Sequence, residues 1–478
     1  MSFDSVAYLL LLVCIGLALW ASGGRWRWQL LLLASVVFYA GAAPLHLLVV
    51  LAFVVAVAYV AGKGLAFGRG RPWAPTLFWA AAVVELLVLA SLKYVPAMVG
   101  RDHPFSLIGV SYYVFQAVAY LSDVHLEKVE AERHPGYLAL YLCFFPKLLQ
   151  GPIERASDLL PQLRTAHRFD RENVRRGLFL FGWGLFKKLV IANRLGAYVD
   201  GVYGQVHAVS GLPLALATYG YAFQLYCDFS GYTDMALGSA SLLNIRLTQN
   251  FRSPYLATSV ADFWRRWHIS FSKWLLDYVF TPLQLELRRW ETWGTPVALL
   301  VTFVLCGAWH GGTWGFVVWG SIHGLFLASG VLYQRWRRRK SSHVAGSKGS
   351  RIGNAWRRLV TFHLVCFAWI FFRSPGIGDA LYVVGSLFQP TRAPSQVGSE
   401  TVTLVGVAAY WGAVHTVLIP SCLLVAVIVA VDYWQENRDL AETVLGWPAW
   451  ARWPLYSALC YGTLLFGVQQ GEYLYFRF

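Results

Sequence analysis

The chain is 478 residues long, 57% hydrophobic and only 14% charged, where an ordinary soluble domain carries about 25% charged residues. That deficit excludes a conventional soluble fold. The formal charge of +15 would suggest nucleic acid in a soluble protein. Here the excess of Lys and Arg beside membrane spans explains it better, and no nucleic-acid partner is expected.

Charges are clustered, and residues 5–24, 28–62, 201–227, 292–334, 401–431 and 453–471 contain no Asp, Glu, Lys or Arg. About 20 apolar residues cross a bilayer as one helix. The runs predict spans at 6–22, 28–42, 45–62, 74–92, 105–121, 177–195, 212–227, 295–309, 314–333, 359–373, 404–431 and 453–470. The first run follows Asp4 and no basic residue, so it reads as a retained span rather than a signal peptide. Pro44 divides the second run. Glu85 is a lone acid in an apolar run and reads as a paired structural group near a helix end. The polar region 123–176 reads as a membrane-surface connection. Within it Tyr137–Gln150 is apolar but short and ends in Gln150-Gly151-Pro152. It reads as a re-entrant piece, which membrane depth tolerates only when protein encloses it. The segment 334–358 holds Arg335, Arg337, Arg338, Arg339, Lys340, Lys348, Arg351, Arg357 and Arg358 and no acid, so it is expected on the cytoplasmic side. Residues 374–400 read as a loop with one short helix. No internal repeat is visible, which weakens a transporter built from inverted halves. The seven cysteines stand singly and read as small core hydrophobes, not as a disulfide framework or a metal site.

Two histidines carry the chemistry. From Asp262 the chain reads Asp-Phe-Trp-Arg-Arg-Trp-His-Ile-Ser-Phe-Ser-Lys-Trp-Leu-Leu-Asp-Tyr-Val. Trp264, Trp267, Phe271, Trp274, Leu275 and Tyr278 recur at spacings of three and four, with Asp262, Arg265, Arg266, Lys273 and Asp277 largely opposite. This predicts one interfacial amphipathic helix with His268 on its flank. The second histidine lies in Cys306-Gly307-Ala308-Trp309-His310-Gly311-Gly312-Thr313-Trp314-Gly315. Glycines on both sides predict a break. With basic flanks at Arg288–Arg289 and Arg335–Lys340, the run 292–334 is a hairpin whose far end holds His310. A titratable group at membrane depth is a functional hypothesis by default. His323 lies off the face of position 310 and reads as a packing or hydrogen-bonding residue; His363 and His415 read as structural.

A neutral imidazole can take a proton from a hydroxyl as it attacks a thioester carbonyl, and a water-poor site protects the acyl donor. No metal is needed. The residue pattern alone leaves an acyltransferase and a polysaccharide or lipid transporter both open.

A set of fragments narrows the choice. In order they are Trp28 to Tyr39 with Gly41–Pro44; Gly109-Val110-Ser111-Tyr112-Tyr113-Val114-Phe115-Gln116; Phe144-Phe145-Pro146; Gln150-Gly151-Pro152-Ile153-Glu154-Arg155 with Leu160-Pro161-Gln162-Leu163; Gly184-Leu185-Phe186-Lys187-Lys188; and Asp228-Phe229-Ser230-Gly231-Tyr232-Thr233-Asp234-Met235-Ala236. Asn250-Phe251, Pro254-Tyr255, Asp262 to Ser270 and Trp309-His310-Gly311 complete it. Together they resemble the membrane-bound O-acyltransferase family, in its alginate O-acetylation and teichoic-acid D-alanylation branch, over nearly the whole chain. The resemblance implies an all-α, multi-pass fold, a single membrane domain over residues 1–478, with tilted helices ringing a central tunnel. It implies that His310 deprotonates the acceptor hydroxyl or assists acyl passage, and that His268 lines the tunnel or orients the donor. Trp309, Trp264, Asn250, Asp262, Arg265 and Arg266 are implied to line the tunnel or contact substrate, with a structural pairing role equally open for Asp262, Arg265 and Arg266. It further implies no permanently bound cofactor and an acetyl-CoA or acyl carrier protein thioester as donor. The implied partners are membrane lipid, that donor, and an exported polysaccharide or a separate periplasmic acetyltransferase. The implied location is the bacterial inner membrane. Two departures stand out: Thr281-Pro282-Leu283-Gln284-Leu285-Glu286 replaces a Pro-Leu-Gly-Gly-Asn pattern, and Ala58 stands where an Asn is usual.

Overall fold

A computed structural model describes residues 1–98, 109–165, 170–340, 350–391, 419–436 and 438–469, and their regular elements are all helical. The chain opens with α1 (Val6–Ala21), α2 (Arg27–Ala42), α3 (His46–Phe67), α4 (Ala74–Met98) and α5 (Val110–His125). Their outer faces carry exposed Leu10, Val13, Leu17, Val49, Phe53 and Val60, as a lipid-facing surface requires. Further along, the charge-free run 292–334 forms the predicted hairpin of α15 (Gly294–His310) and α16 (Trp314–Lys340). A β-carbon on Gly320 would collide with the Phe303 carbonyl, and one on Gly307 with the Phe316 carbonyl, so the absence of side chains there lets the two helices touch. α17 (Arg351–Arg373), α18 (Ile377–Ser386), α19 (Ile419–Gln435), α20 (Leu440–Leu445) and α21 (Ala449–Phe466) complete the described chain. Of the described helices, α3, α4, α16 and α17 are long and apolar enough to cross a membrane. α1, α2, α15, α18 and α19 are apolar but shorter. The start of the expected span 105–121, part of the basic segment at 341–349, and residues 392–418 with His415 lie outside the described residues.

Four expectations need correction. First, the region 123–176 is only in part a surface connection: residues 126–128, 133–135 and 170–172 are exposed, but its middle is buried. α6 (Pro135–Cys143) enters the protein, the chain breaks at Phe144, α7 (Phe145–Leu148) follows, and α8 (Ala156–Arg164) lies beyond. Leu138 and residues 140–154 are buried; the re-entrant reading of Tyr137–Gln150 holds and extends. The polar groups inside are paired. Lys147 Nζ donates to Gln116 Oε1, and the Glu154 carboxylate accepts from the Thr248 backbone N–H at 2.5 Å and its hydroxyl at 3.0 Å.

Second, the span expected to end at Cys227 continues as α11 (Leu212–Leu242). Asp228 and Asp234 do not end it because each meets a lysine. α9 (Arg171–Phe186) and α10 (Asn193–Tyr203) are joined by a π-helical turn, Lys187–Ala192. From that turn Lys188 reaches Asp228 at 2.5 Å and Lys187 reaches Asp234 at 2.7 Å. Third, Glu85 is fully buried in the middle of α4, and its carboxylate has no hydrogen-bond partner among the described residues. Fourth, the amphipathic segment is not one interfacial helix. α12 (Val260–Arg266) and α13 (Ile269–Leu275) are separated at Trp267–His268, and α14 (Thr281–Glu286) follows a second π-helical turn, Leu276–Phe280. Trp264, Trp267, Phe271 and Trp274 are buried among other helices rather than against lipid.

Candidate functional site

His268 sits at the break between α12 and α13 with φ +43°. A non-glycine residue in that left-handed region stores about 1–3 kcal/mol of strain, so its surroundings must hold it. Asn250 does so from a separate segment. Its Oδ1 accepts from the Ser270 N–H at 3.0 Å and its carbonyl from the Ile269 N–H at 2.9 Å, satisfying first-turn donors of α13. Ser270 Oγ in turn accepts from the Ile153 N–H at 2.9 Å. The Asn250 segment is itself clamped. Gln162 exchanges hydrogen bonds with the Arg246 backbone, and Glu154 holds Thr248. The fragments Gln150–Arg155 and Leu160–Leu163 thus act as scaffolding for His268, two segments removed from it.

The His268 ring, 2% exposed, lies 4.7 Å from Phe229, 5.1 Å from Phe271 and 6.4 Å from Tyr112 between centroids. Among the described residues neither ring nitrogen has a hydrogen-bond partner, and Asn250 Nδ2 and both polar atoms of the Gln150 side chain are also buried and unpartnered. Buried polar groups are rarely left so. A substrate polar group is what such a lining would accept.

His310 is the last residue of α15 and 7% exposed. Its ring lies 6.2 Å from Phe271, 4.9 Å from Trp319 and 5.1 Å from Phe372. The two histidines therefore flank one ring, Phe271. Trp309 packs on Phe271 at 4.4 Å and Phe115 at 5.3 Å. Trp264 lies on the far side of Trp319, donating its Nε1 hydrogen to His323 Nδ1 at 3.2 Å. That is the hydrogen-bonding role expected of His323.

The polar candidates on α12 face elsewhere. Asp262 pairs with Arg266 at 3.0 Å and accepts from the Thr258 N–H. Arg266 continues to Glu436 at 3.2 Å, which Arg358 also holds at 2.8 Å. Arg265 is exposed. The structure thus gathers His268, His310 and Trp309 around Phe271, with Asn250 bound to the first turn of α13, and sets Asp262 and Arg266 in an ion-paired network apart from them. Sequence reasoning missed Lys93 on α4, whose Nζ donates to the Trp309 carbonyl and, at 3.1 Å, to that of His310. Standing at the end of an apolar run, it offered no pattern beyond a span boundary.

Similarity to known proteins runs through most of the chain. The model of the MBOAT, membrane-bound O-acyltransferase, family matches residues 35–372, which include every residue of the site. The chain is 33% identical over 409 residues to the probable alginate O-acetylase AlgI of Pseudomonas aeruginosa, covering 81% of this chain and 75% of that one. It is 33% identical over 307 residues to the peptidoglycan O-acetyltransferase of Helicobacter pylori, covering 58% and 56%. It is 26% identical over 311 residues to the teichoic acid D-alanyltransferase of Bacillus subtilis, covering 62% and 77%.

Proposed function

The chain belongs to the membrane-bound O-acyltransferase family, and from that premise we propose that it O-acetylates an exported polysaccharide from the bacterial inner membrane. The donor is a cytoplasmic thioester, acetyl-CoA or an acetylated acyl carrier protein. The acceptor is a sugar hydroxyl, reached directly or through a separate periplasmic acetyltransferase. Relatives named for alginate and peptidoglycan O-acetylation support a glycan acceptor. The basic end of α16, Arg337 to Lys340, supports a cytoplasmic approach for an anionic donor.

One observation carries the reading: His310, nearly buried at the broken tip of the hairpin, faces the aromatic cluster that His268 also faces. In the proposed step the neutral His310 imidazole takes the hydroxyl proton and the oxygen attacks the thioester carbonyl. The tetrahedral intermediate then collapses, the C–S bond breaks, and the imidazolium returns its proton to the leaving thiolate. The rings of Trp309, Phe271, Trp319 and Phe372 exclude water that would hydrolyse the thioester. His268 and Asn250 Nδ2 orient the acyl group.

Replacing His310 with Ala, at equal membrane level, should lower acetyl ester on the exported polymer by about 10²–10⁴-fold. Unchanged acetylation would sink the role given to His310. Thioester cleavage by the purified chain in liposomes separates this reading from a transporter, which would move polysaccharide or lipid without consuming a donor.

A further inference from the structure

α15 ends inside the protein, at the residue on which the chemistry is proposed to depend. The last carbonyls of any helix lack partners within it, and at membrane depth water does not supply them. Here two consecutive residues of α4 do. Tyr94 Oη donates to the Ala308 carbonyl at 2.5 Å. Lys93 Nζ donates to the carbonyls of Trp309 and His310, and also lies 5.4 Å from the Trp309 ring centroid. Lys93 is 8% exposed. Among the described residues no carboxylate pairs with it; of the other buried lysines, Lys187 and Lys188 each have an acid and Lys147 donates to the Gln116 side chain.

That use of charge is costly. A buried ammonium without a counter-ion is expensive, and an apolar side chain would pack α4 against α15 without the penalty. What the ammonium gains is the negative end of a helix dipole and a fixed orientation for the last two peptide planes of α15. Those planes set the direction in which the His310 side chain leaves the backbone.

We propose that Lys93, assisted by Tyr94, is the positioning residue that aims His310 at the acceptor hydroxyl, a role resting on the reading of His310 as the general base. Its hydrogen bonds to α15 go to backbone carbonyls. It acts by holding the carbonyls of residues 308–310, while Gly311 and Gly312 beyond them leave the end of the helix without support of its own.

The test uses the full chain in cells, reading the initial rate of ester formation on the exported polymer at matched membrane level. Lys93→Met keeps an unbranched side chain one atom shorter but removes the donors, and should lower the rate by about 10–100-fold, the scale of a misplaced catalytic group. Lys93→Arg keeps donors and should recover most of it, and Tyr94→Phe should cost a few-fold. In a His310→Ala background, Lys93→Met should cause no further loss. A Lys93→Met rate within twofold of the unaltered chain overturns the proposal, as does an Arg variant damaged as badly as the Met variant. An equal fractional loss in the His310→Ala background also overturns it while leaving His310 as the base. Full activity of His310→Ala removes the base reading and this one together. Should Lys93→Met fail to insert, Tyr94→Phe decides: a silent phenotype counts against the clamp, and a loss that vanishes in the His310→Ala background supports it.

Discussion

The two histidines face the same ring but are held by opposite means. His268 is a strained loop residue, fixed from outside by side chains of distant segments, with Asn250 as the immediate clamp and Glu154 and Gln162 behind it. His310 is helical, fixed because the end of its own helix is tied down by Lys93 and Tyr94. The first arrangement distributes the load over many contacts, which also stabilise the fold. The second ties the backbone of the helix end through two side chains, while aromatic rings pack on the imidazole. Damage around His268 should therefore reach stability and activity together, while damage around His310 should reach activity first.

The most severe test of that contrast lies behind Phe229, which packs on His268. Asp228→Asn unpairs buried Lys188, and breaking a buried pair costs about 3–5 kcal/mol. Thermal unfolding in detergent should show the loss, and pairing Asp228→Leu with Lys188→Met should restore much of it. Equal instability in the single and double variants would mean the pair is not what holds α11 to the π-helical turn. Next comes Asn250→Ala, which removes the side-chain acceptor of the Ser270 N–H in the first turn of α13 and leaves that donor unmet at about 1–3 kcal/mol. It should lower both the melting temperature and the ester rate. An activity loss without a stability loss would erase the distinction drawn between the two histidines. Arg266→Ala breaks partly exposed pairs with Asp262 and Glu436, worth about 0.2–1 kcal/mol, and should leave the ester rate within twofold. A large loss of activity would place Asp262 and Arg266 in substrate contact after all.

The smallest effect is in pH. Burial pushes the Asp439 carboxyl up, but hydrogen bonds from Arg176 and from the Glu442 backbone N–H outweigh it and leave it below the usual value. A depressed carboxylate stabilises the fold above its unfolded pKa, near 3.9, and that stability is lost as pH falls through the folded value. Arg176→Gln should therefore flatten the decline in melting temperature at acid pH, far from either histidine. An unchanged acid limb would show that the Arg176–Asp439 contact adds nothing measurable.

Much of this was legible in the sequence. Long charge-free runs pointed to α3 and to the pair α15 and α16, and the glycines around His310 to the hairpin and its break. What escaped reading shares one cause, partners far away in the chain. Asp228 and Asp234 looked like the end of a span because Lys187 and Lys188 lie some forty residues earlier. The aromatic spacing of three and four runs straight through Trp267–His268, so periodicity predicts a continuous helix. The break is imposed by Asn250 and Ser270, and by Ile153 behind them. Lys93 is invisible for the same reason, since only folding brings it to the end of α15.

The lysine–aspartate rungs between the π-helical turn and α11 bear on how the protein is made. An aspartate at the centre of an isolated helix raises the cost of entering the bilayer by about 2.5–3.5 kcal/mol, and α11 carries two. A buried lysine on the α9 side is charged a similar toll. Entering singly, each segment meets its own charges undiluted; entering side by side, each neutralises the other. Burial of the α9–α10 segment and burial of α11 thus depend on each other, so the rungs couple the two in assembly as well as in the final geometry.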